Sequence, residues 1–90
     1  EPQGTAFHDT LSSMRLDAVL AGAYRLSRTE SSALIRGGLV KLNHIPCERV
    51  DAAVEEGALL SVRGKGRVRL QSIEGLTRKQ RIGVTFFRYE

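Results

Sequence analysis

Cationic side chains recur between residues 15 and 41, where they alternate with short apolar stretches. The set comprises four arginines, one lysine and a threonine whose hydroxyl can also donate to an anion: Arg15, Arg25, Arg28, Thr29, Arg36 and Lys41. A guanidinium group presents a planar fork of N–H donors that matches the oxygens of a phosphate group. Cations at this density favour binding to a phosphate-rich polymer over an ordinary solvated surface.

A second group of cations lies on a predicted turn at residues 63–67. Two glycines within it predict a tight reversal between strands, because glycine adopts positive φ at little cost. Arg63, Lys65 and Arg67 would then stand on a small loop that can approach a phosphate backbone closely. The alternative is a plain hairpin with solvated charges, and the density of cations favours binding. For the cations of residues 78–81 we favour the solvated alternative.

The first group of cations belongs to two predicted helices. Apolar residues at helical spacing indicate the first helix: Leu16, Val19, Leu20 and Ala23. Ser13 is expected to cap this helix, and Gly22 is expected to keep it short. The second helix is predicted to begin with a capping box, in which Ser27 caps the first turn and the Glu30 carboxylate reaches back to the Ser27 amide.

The second helix should end at a pair of glycines. Ala33, Leu34 and Gly37 recur at helical spacing, and Gly38 is predicted to take the left-handed conformation that closes many helices. The cations fall outside these apolar positions. We therefore expect Arg28, in the first turn, to serve binding rather than folding, because the amides there favour a phosphate.

The remainder of the chain reads as short strands. Alternating apolar residues predict strands from residue 40, over residues 58–63, from residue 68 and over residues 82–86, with a polar turn over residues 74–80. Residues 1–12 lack periodicity and are expected to form a linker or a disordered remnant. Residues 13–90 would then form one domain with a modest core.

Charge is unevenly distributed along the 90 residues. The formal net charge is +4 and the sequence pI is about 9.8. Residues 57–90 carry eight lysines and arginines against two glutamates, whereas residues 42–56 carry one arginine against four carboxylates. A surface polarised in this way has a basic side that attracts phosphate.

The sequence offers little for catalysis. Cys47 is the only cysteine, which excludes an intrachain disulfide and fits a reducing cytoplasm. His8 and His44 have no partners at metal-ligand spacing. Asp17 is expected to interact with the helix dipole or to anchor a neighbouring arginine. We therefore expect no catalytic residue, no metal and no cofactor. No apolar run approaches the roughly 18 residues that a membrane span requires.

Several separated segments resemble one known family and occur in its order. They are Arg15-Leu16-Asp17, Leu26-Ser27-Arg28-Thr29, residues 34–43 and residues 57–67. The family is the S-four RNA-binding domain, named after small-subunit ribosomal protein S-four, and the resemblance covers roughly residues 14–69. Together with the tail over residues 68–87, the chain is most similar to the C-terminal domain of bacterial S-four proteins encoded near cell-division genes.

The resemblance implies an α+β fold in which two short helices pack on a small, mostly antiparallel sheet. It further implies non-catalytic binding of structured RNA, namely ribosomal or transfer RNA on the ribosome, and specifically on its large subunit. The binding unit would be a monomer that does not enter a membrane, with a further domain upstream of this chain.

Two other functions stay open. Domains of this family accompany RNA-modifying enzymes and aminoacyl-transfer-RNA synthetases, so the chain could be the RNA-targeting appendage of an enzyme. Alternatively, the acidic segment over residues 42–56 could dock a protein, and the chain would be an interaction module linked to cell division.

Overall fold

In the computed structural model, which describes residues 3–90, two helices pack on one antiparallel sheet of six strands. The strands are β1 (Gly4–Leu11), β2 (Val40–Leu42), β3 (Ile45–Pro46), β4 (Leu59–Val62), β5 (Gly66–Leu76) and β6 (Ile82–Tyr89), and the helices are α1 (Leu16–Tyr24) and α2 (Arg28–Arg36). The strand order is β1-β6-β5-β4-β2-β3, and every neighbouring pair is antiparallel. The α+β fold that the resemblance implies is confirmed.

The core lies between the helices and one face of the sheet. The four apolar residues predicted to form the stripe of α1 are all buried, and they meet buried side chains from β2, β4, β5 and β6. In α2 the predicted apolar positions are wrong in part. Ala33 is exposed, whereas Ser31 and Ile35 are fully buried. A buried serine hydroxyl is tolerated there because it donates a 2.8 Å hydrogen bond to the Asp17 carbonyl oxygen.

Helix α1 does not begin with the predicted serine cap. Arg15 occupies the N-cap position and its side chain makes no capping hydrogen bond. The first amides of the helix donate instead to backbone carbonyls of a distant loop, from Leu16 to Ala52 at 2.8 Å and from Asp17 to Val50 at 3.0 Å. These contacts satisfy the orphan donors of the first turn without a side-chain cap.

The predicted linker over residues 1–12 is wrong for residues 4–11, which form β1 along the whole length of β6. Residues 1 and 2 lie outside the described residues. Gly22 lets β1 approach the helix layer, because a Cβ on it would lie 2.5 Å from Leu11 Cδ2. It does not end α1, which continues to Tyr24.

The predicted polar turn over residues 74–80 is shorter than expected. Strand β5 continues to Leu76 by means of two register shifts against β6, between Leu70 and Ser72 and between Ile73 and Gly75. Bulges of this kind admit extra residues into a paired strand. Neither helix in residues 3–90 is long and apolar enough to cross a membrane.

Gly38→Val is expected to destabilise the fold by about 1 kcal/mol or more, because Gly38 has φ of +78° and β-branched residues resist positive φ. A Cβ there would lie 3.2 Å from Glu48 Oε2, the movable end of a side chain, so the strain comes from the backbone. Urea unfolding measures the change. Gly38→Asn is the matched control and should lose less, since asparagine tolerates this conformation. Equal stability of all three proteins would contradict the assignment.

Ser27→Ala is expected to lower the free energy of unfolding by about 0.5–2 kcal/mol. The capping box is confirmed, since the Glu30 amide donates to Ser27 Oγ and the Ser27 amide donates to Glu30 Oε1, both at 3.0 Å. Ser32→Ala, the same substitution within α2, should change stability by less than about 0.5 kcal/mol. Comparable losses in the two variants, measured by thermal unfolding, would show that the cap contributes nothing specific.

Candidate nucleic-acid interface

The carboxylate of Asp17 organises the cationic surface of the helix pair. Its side chain is only 6% exposed, and both Arg15 and Arg28 donate to Oδ2, at 3.2 and 3.0 Å. Arg15 also donates through Nε to Oδ1 at 3.3 Å, and the Ala18 amide donates to the same oxygen at 2.9 Å. The expectation that Asp17 anchors a neighbouring arginine is thus confirmed, and it anchors two.

The pKa of Asp17 reports the balance at this site. Burial alone would raise the pKa, because the ionised carboxylate loses solvation. The hydrogen bond and charge of Arg28, the charge of Arg15 and the Ala18 amide together outweigh burial and hold the pKa below its ordinary value. Asp17 is therefore ionised at neutral pH, and it cancels only one of the two arginine charges.

Arg28 is partly structural, which corrects the expectation that it serves binding alone. Its guanidinium is about half exposed, and it holds Asp17 through Nη2 and Ser12 Oγ through Nη1 at 3.3 Å. Replacing it with a carboxylate would place like charge beside a buried anion, so Arg28→Glu would damage the fold as well as any binding site. The exposed half of the guanidinium still faces solvent.

A shallow cleft of about 400 Å³ opens beside this ion pair and is lined by six residues: Asp17, Arg28, Thr29, Ser32, Ala33 and Arg36. We call it the helix cleft. Three of the predicted binding residues, Arg28, Thr29 and Arg36, line this cleft, and Arg36 is exposed. Sequence reasoning missed Ser32, whose hydroxyl lines the cleft. Its position one turn from Arg28 and Arg36 on α2 was the available signal.

Other predicted residues meet at a second site, a groove of about 570 Å³ between the β4–β5 hairpin and β2, which we call the hairpin groove. Lys41, Arg63 and Arg67 line it, together with His44 and Ser61. The predicted reversal is confirmed, since Gly64 and Gly66 both have positive φ, at +81° and +80°. The groove is thus flanked by cations from two separate parts of the chain.

Tyr24 ties the hairpin to the helices. Its hydroxyl donates to the Gly66 carbonyl at 2.8 Å and lies 3.3 Å from the Leu60 carbonyl oxygen, and burial raises its pKa. Tyr24 is the last residue of α1, so the turn end of the hairpin lies against the junction between the helices. Sequence reasoning missed this residue, because its role depends on a contact 42 positions away.

The hairpin tip lies close to the start of α2. The hydrogen bonds from the Ser27 amide and hydroxyl lower the pKa of Glu30, and the charge of Lys65 lowers it further. The capping box therefore already brings a carboxylate to this helix end. A phosphate there would rely on the side chains of Arg28 and Thr29 rather than on free amides.

Arg25 stands apart from both sites. It is the C-cap of α1 with a left-handed backbone, and its guanidinium lies 5.8 Å from the centre of the Phe7 ring. It lines a different cleft with Arg28 and Arg81, between β1 and the helices. Within residues 3–90 no three histidine, cysteine or carboxylate side chains come close enough to hold a metal ion.

Comparison with known proteins gives relatives of two kinds. The chain is 50% identical over 80 residues to the ribosome-associated protein quality control protein P2 of Bacillus subtilis. The alignment covers 89% of this chain and 31% of that protein. It is 47% identical over 55 residues to uncharacterized RNA pseudouridine synthases of Mycobacterium bovis and Mycobacterium tuberculosis, covering 61% of this chain and 18% of each. The chain thus spans less than a third of the length of these relatives.

The family model for the S4 domain matches residues 14–60, which include α1, α2, the strands of the hairpin groove as far as Leu60 and the ion pair at Asp17. This is the family that the sequence resembles, and the match covers more than half of the chain. The chain belongs to the S4 domain family of RNA-binding modules.

Proposed function

We propose that this chain docks on folded ribosomal or transfer RNA at the ribosome, through the helix cleft and the hairpin groove. The observation that carries the proposal is the meeting of cations from separate parts of the chain. Arg28 and Arg36 line the cleft, Lys41, Arg63 and Arg67 line the groove, and the Tyr24 hydrogen bond holds the two parts together. Phosphate contacts of this kind position a protein on a folded RNA.

The relatives support a ribosomal target. A protein of Bacillus subtilis named as ribosome-associated shares half of its aligned residues with this chain over 80 positions. The alignment covers 89% of this chain, so it includes the residues of both the helix cleft and the hairpin groove. We infer a target on the large subunit and a cytoplasmic site of action from the same resemblance.

We propose that the chain contributes binding and no catalysis. The carboxylate that lines the helix cleft is committed to ion pairs, since Asp17 is held in its ionised form by Arg15 and Arg28. A general base needs a pKa near the working pH and access to a substrate proton, and a buried carboxylate with a lowered pKa offers neither.

A second candidate function is that of an RNA-targeting module within a larger RNA-modifying enzyme. The likeness to the RNA pseudouridine synthases of two mycobacteria favours it, since the aligned 55 residues are 18% of those proteins. The full-length protein containing this chain, assayed for pseudouridine formation in ribosomal RNA, tests this alternative.

RNA binding is expected to weaken steeply as salt rises. With about 4 to 6 phosphate contacts, the slope of log K against log salt should be roughly −3 to −5, at ~0.7–0.9 per contact. Fluorescence anisotropy with labelled transfer RNA and with a fragment of large-subunit ribosomal RNA measures it between 50 and 300 mM salt. A slope near zero would exclude binding through phosphates.

Arg36→Gln is expected to reduce the magnitude of that slope by about 1 and to weaken binding to all RNA sequences alike. Arg36 is suited to the test because it is exposed in the helix cleft and forms no ion pair within residues 3–90. Arg78→Gln, which removes the same charge from the β5–β6 turn, is the control and should leave the slope unchanged. Thermal unfolding confirms that both variants fold. Equal binding by the two variants would show that the helix cleft does not contact RNA.

A further inference from the structure

Neither helix packs on the second face of the sheet. In antiparallel strands, residues directly opposite each other point to the same face. Lys41 faces Ser61, which faces Arg67, so this row runs across β2, β4 and β5. Arg69 faces Phe87 in the next row. These side chains alternate with the buried residues of the core, such as Val68 and Phe86, and therefore lie on the opposite side from the helices.

An aromatic pair forms the centre of this second face. The rings of Phe87 and Tyr89 meet edge to face, with centroids 5.1 Å apart, and both residues are partly exposed. The guanidinium of Arg67 lies 5.2 Å from the centre of the Tyr89 ring. Arg69 donates to the Tyr89 hydroxyl at 2.9 Å and to the Gly57 carbonyl at 2.7 Å, which fixes the orientation of Tyr89.

Small residues of β1 lie beside this aromatic pair. Gly4 faces Tyr89, and Ala6 faces Phe87. A Cβ on Gly4 would lie 2.8 Å from Phe87 Cε2, so the ring of Phe87 lies across the backbone of β1 where any larger residue would displace it. The Phe87 ring therefore packs against β1 at Gly4.

The aromatic pair is continuous with the hairpin groove. Arg67 belongs to both, since it lines the groove and lies over the Tyr89 ring. Lys41 and Ser61 line the groove and share the sheet face with the aromatic pair. Cations beside partly exposed rings match a chain that carries both phosphates and unpaired bases, because every base can stack on an aromatic ring.

We propose that this second face, which we call the aromatic platform, binds an unpaired stretch of RNA that flanks the folded part. A base stacks on the ring pair of Phe87 and Tyr89, while Arg67 and Lys41 hold the phosphates that lead from the hairpin groove. The proposal rests on the proposed function, since the folded RNA occupies the helix cleft and the hairpin groove. It adds a second mode of recognition, in which bases rather than phosphates supply the contact.

Three synthetic RNAs test the platform by fluorescence anisotropy: a blunt stem–loop, the same stem–loop with five unpaired adenosines at its 3′ end, and the same with five abasic residues there. The abasic extension carries equal charge but no bases. The natural chain should bind the adenosine extension at least about fivefold more tightly than the abasic one, the lower end of the range for one stacked base.

The double variant Phe87→Leu, Tyr89→Leu keeps apolar bulk but removes the rings, and it should bind both extensions equally. His8→Leu is the matched control, because His8 faces Thr85 on the same side of the sheet, in the middle of β1, and its ring is largely exposed. The His8→Leu variant should still bind the adenosine extension more tightly than the abasic one. Upfield shifts of the Phe87 and Tyr89 ring protons in the natural chain, on addition of the adenosine extension, check stacking without any substitution.

Equal affinity of the natural chain for the two extensions would overturn the platform, as would a ring-deleted variant that keeps the preference for bases. If this face docks a protein instead of RNA, the natural chain would likewise bind the two extensions with equal affinity. The blunt stem–loop reports the proposed function separately. If Arg36→Gln weakens binding to it while the extensions bind equally, the helix cleft stands and the platform fails. If the natural chain binds none of the three RNAs, the proposed function fails and the platform with it.

Discussion

One buried carboxylate determines how the helix pair presents its cations. Asp17 is almost fully enclosed, and an enclosed charge is costly unless opposite charges and hydrogen bonds compensate it. The compensation comes from Arg15, which precedes α1, and from Arg28, which begins α2, so the two helices must lie side by side for the charge to be tolerated. Ser31 adds a hydrogen bond to the Asp17 backbone. Both arginines remain about half exposed, and folding thereby fixes two cations around Asp17, of which Arg28 lines the helix cleft.

The hairpin depends on this arrangement through Tyr24. Because α1 is held by the ion pair at its beginning, the tyrosine at its end reaches the hairpin at a defined place and binds the Gly66 carbonyl. The groove cations Lys41 and Arg67 then lie on the sheet face opposite the helices, at a fixed position relative to the helix cleft. An interface made from separate segments needs such fixed joints, since long basic side chains lose considerable conformational entropy when they bind.

Local signals in the sequence predicted local structure correctly. The capping box at Ser27 and Glu30, the left-handed Gly38 and the glycine hairpin involve residues within a few positions of one another. The failures concern contacts between distant residues. Strand β1 carries no alternation, and its partners on β6 lie more than 70 positions away. Likewise, the burial of Asp17 and its ion pair with Arg28 could not be predicted from the sequence, because they depend on how the two helices pack. The predicted binding residues remain hypotheses. The structure places Arg28, Thr29 and Arg36 in the helix cleft and Lys41, Arg63 and Arg67 in the hairpin groove, whereas Arg15, Arg25 and Lys65 line neither.

The strand that the sequence did not predict changes what the sheet can do. Without β1, strand β6 would be an edge strand with unpaired backbone groups beside Phe87 and Tyr89. With β1 in place, those groups are paired, and Gly4 and Ala6 place no large side chain beside the rings. The alternation of β5 then assigns Val68 to the core and its neighbours Arg67 and Arg69 to the open face. The helices therefore pack against one face of the sheet, and the side chains of the proposed platform lie on the other.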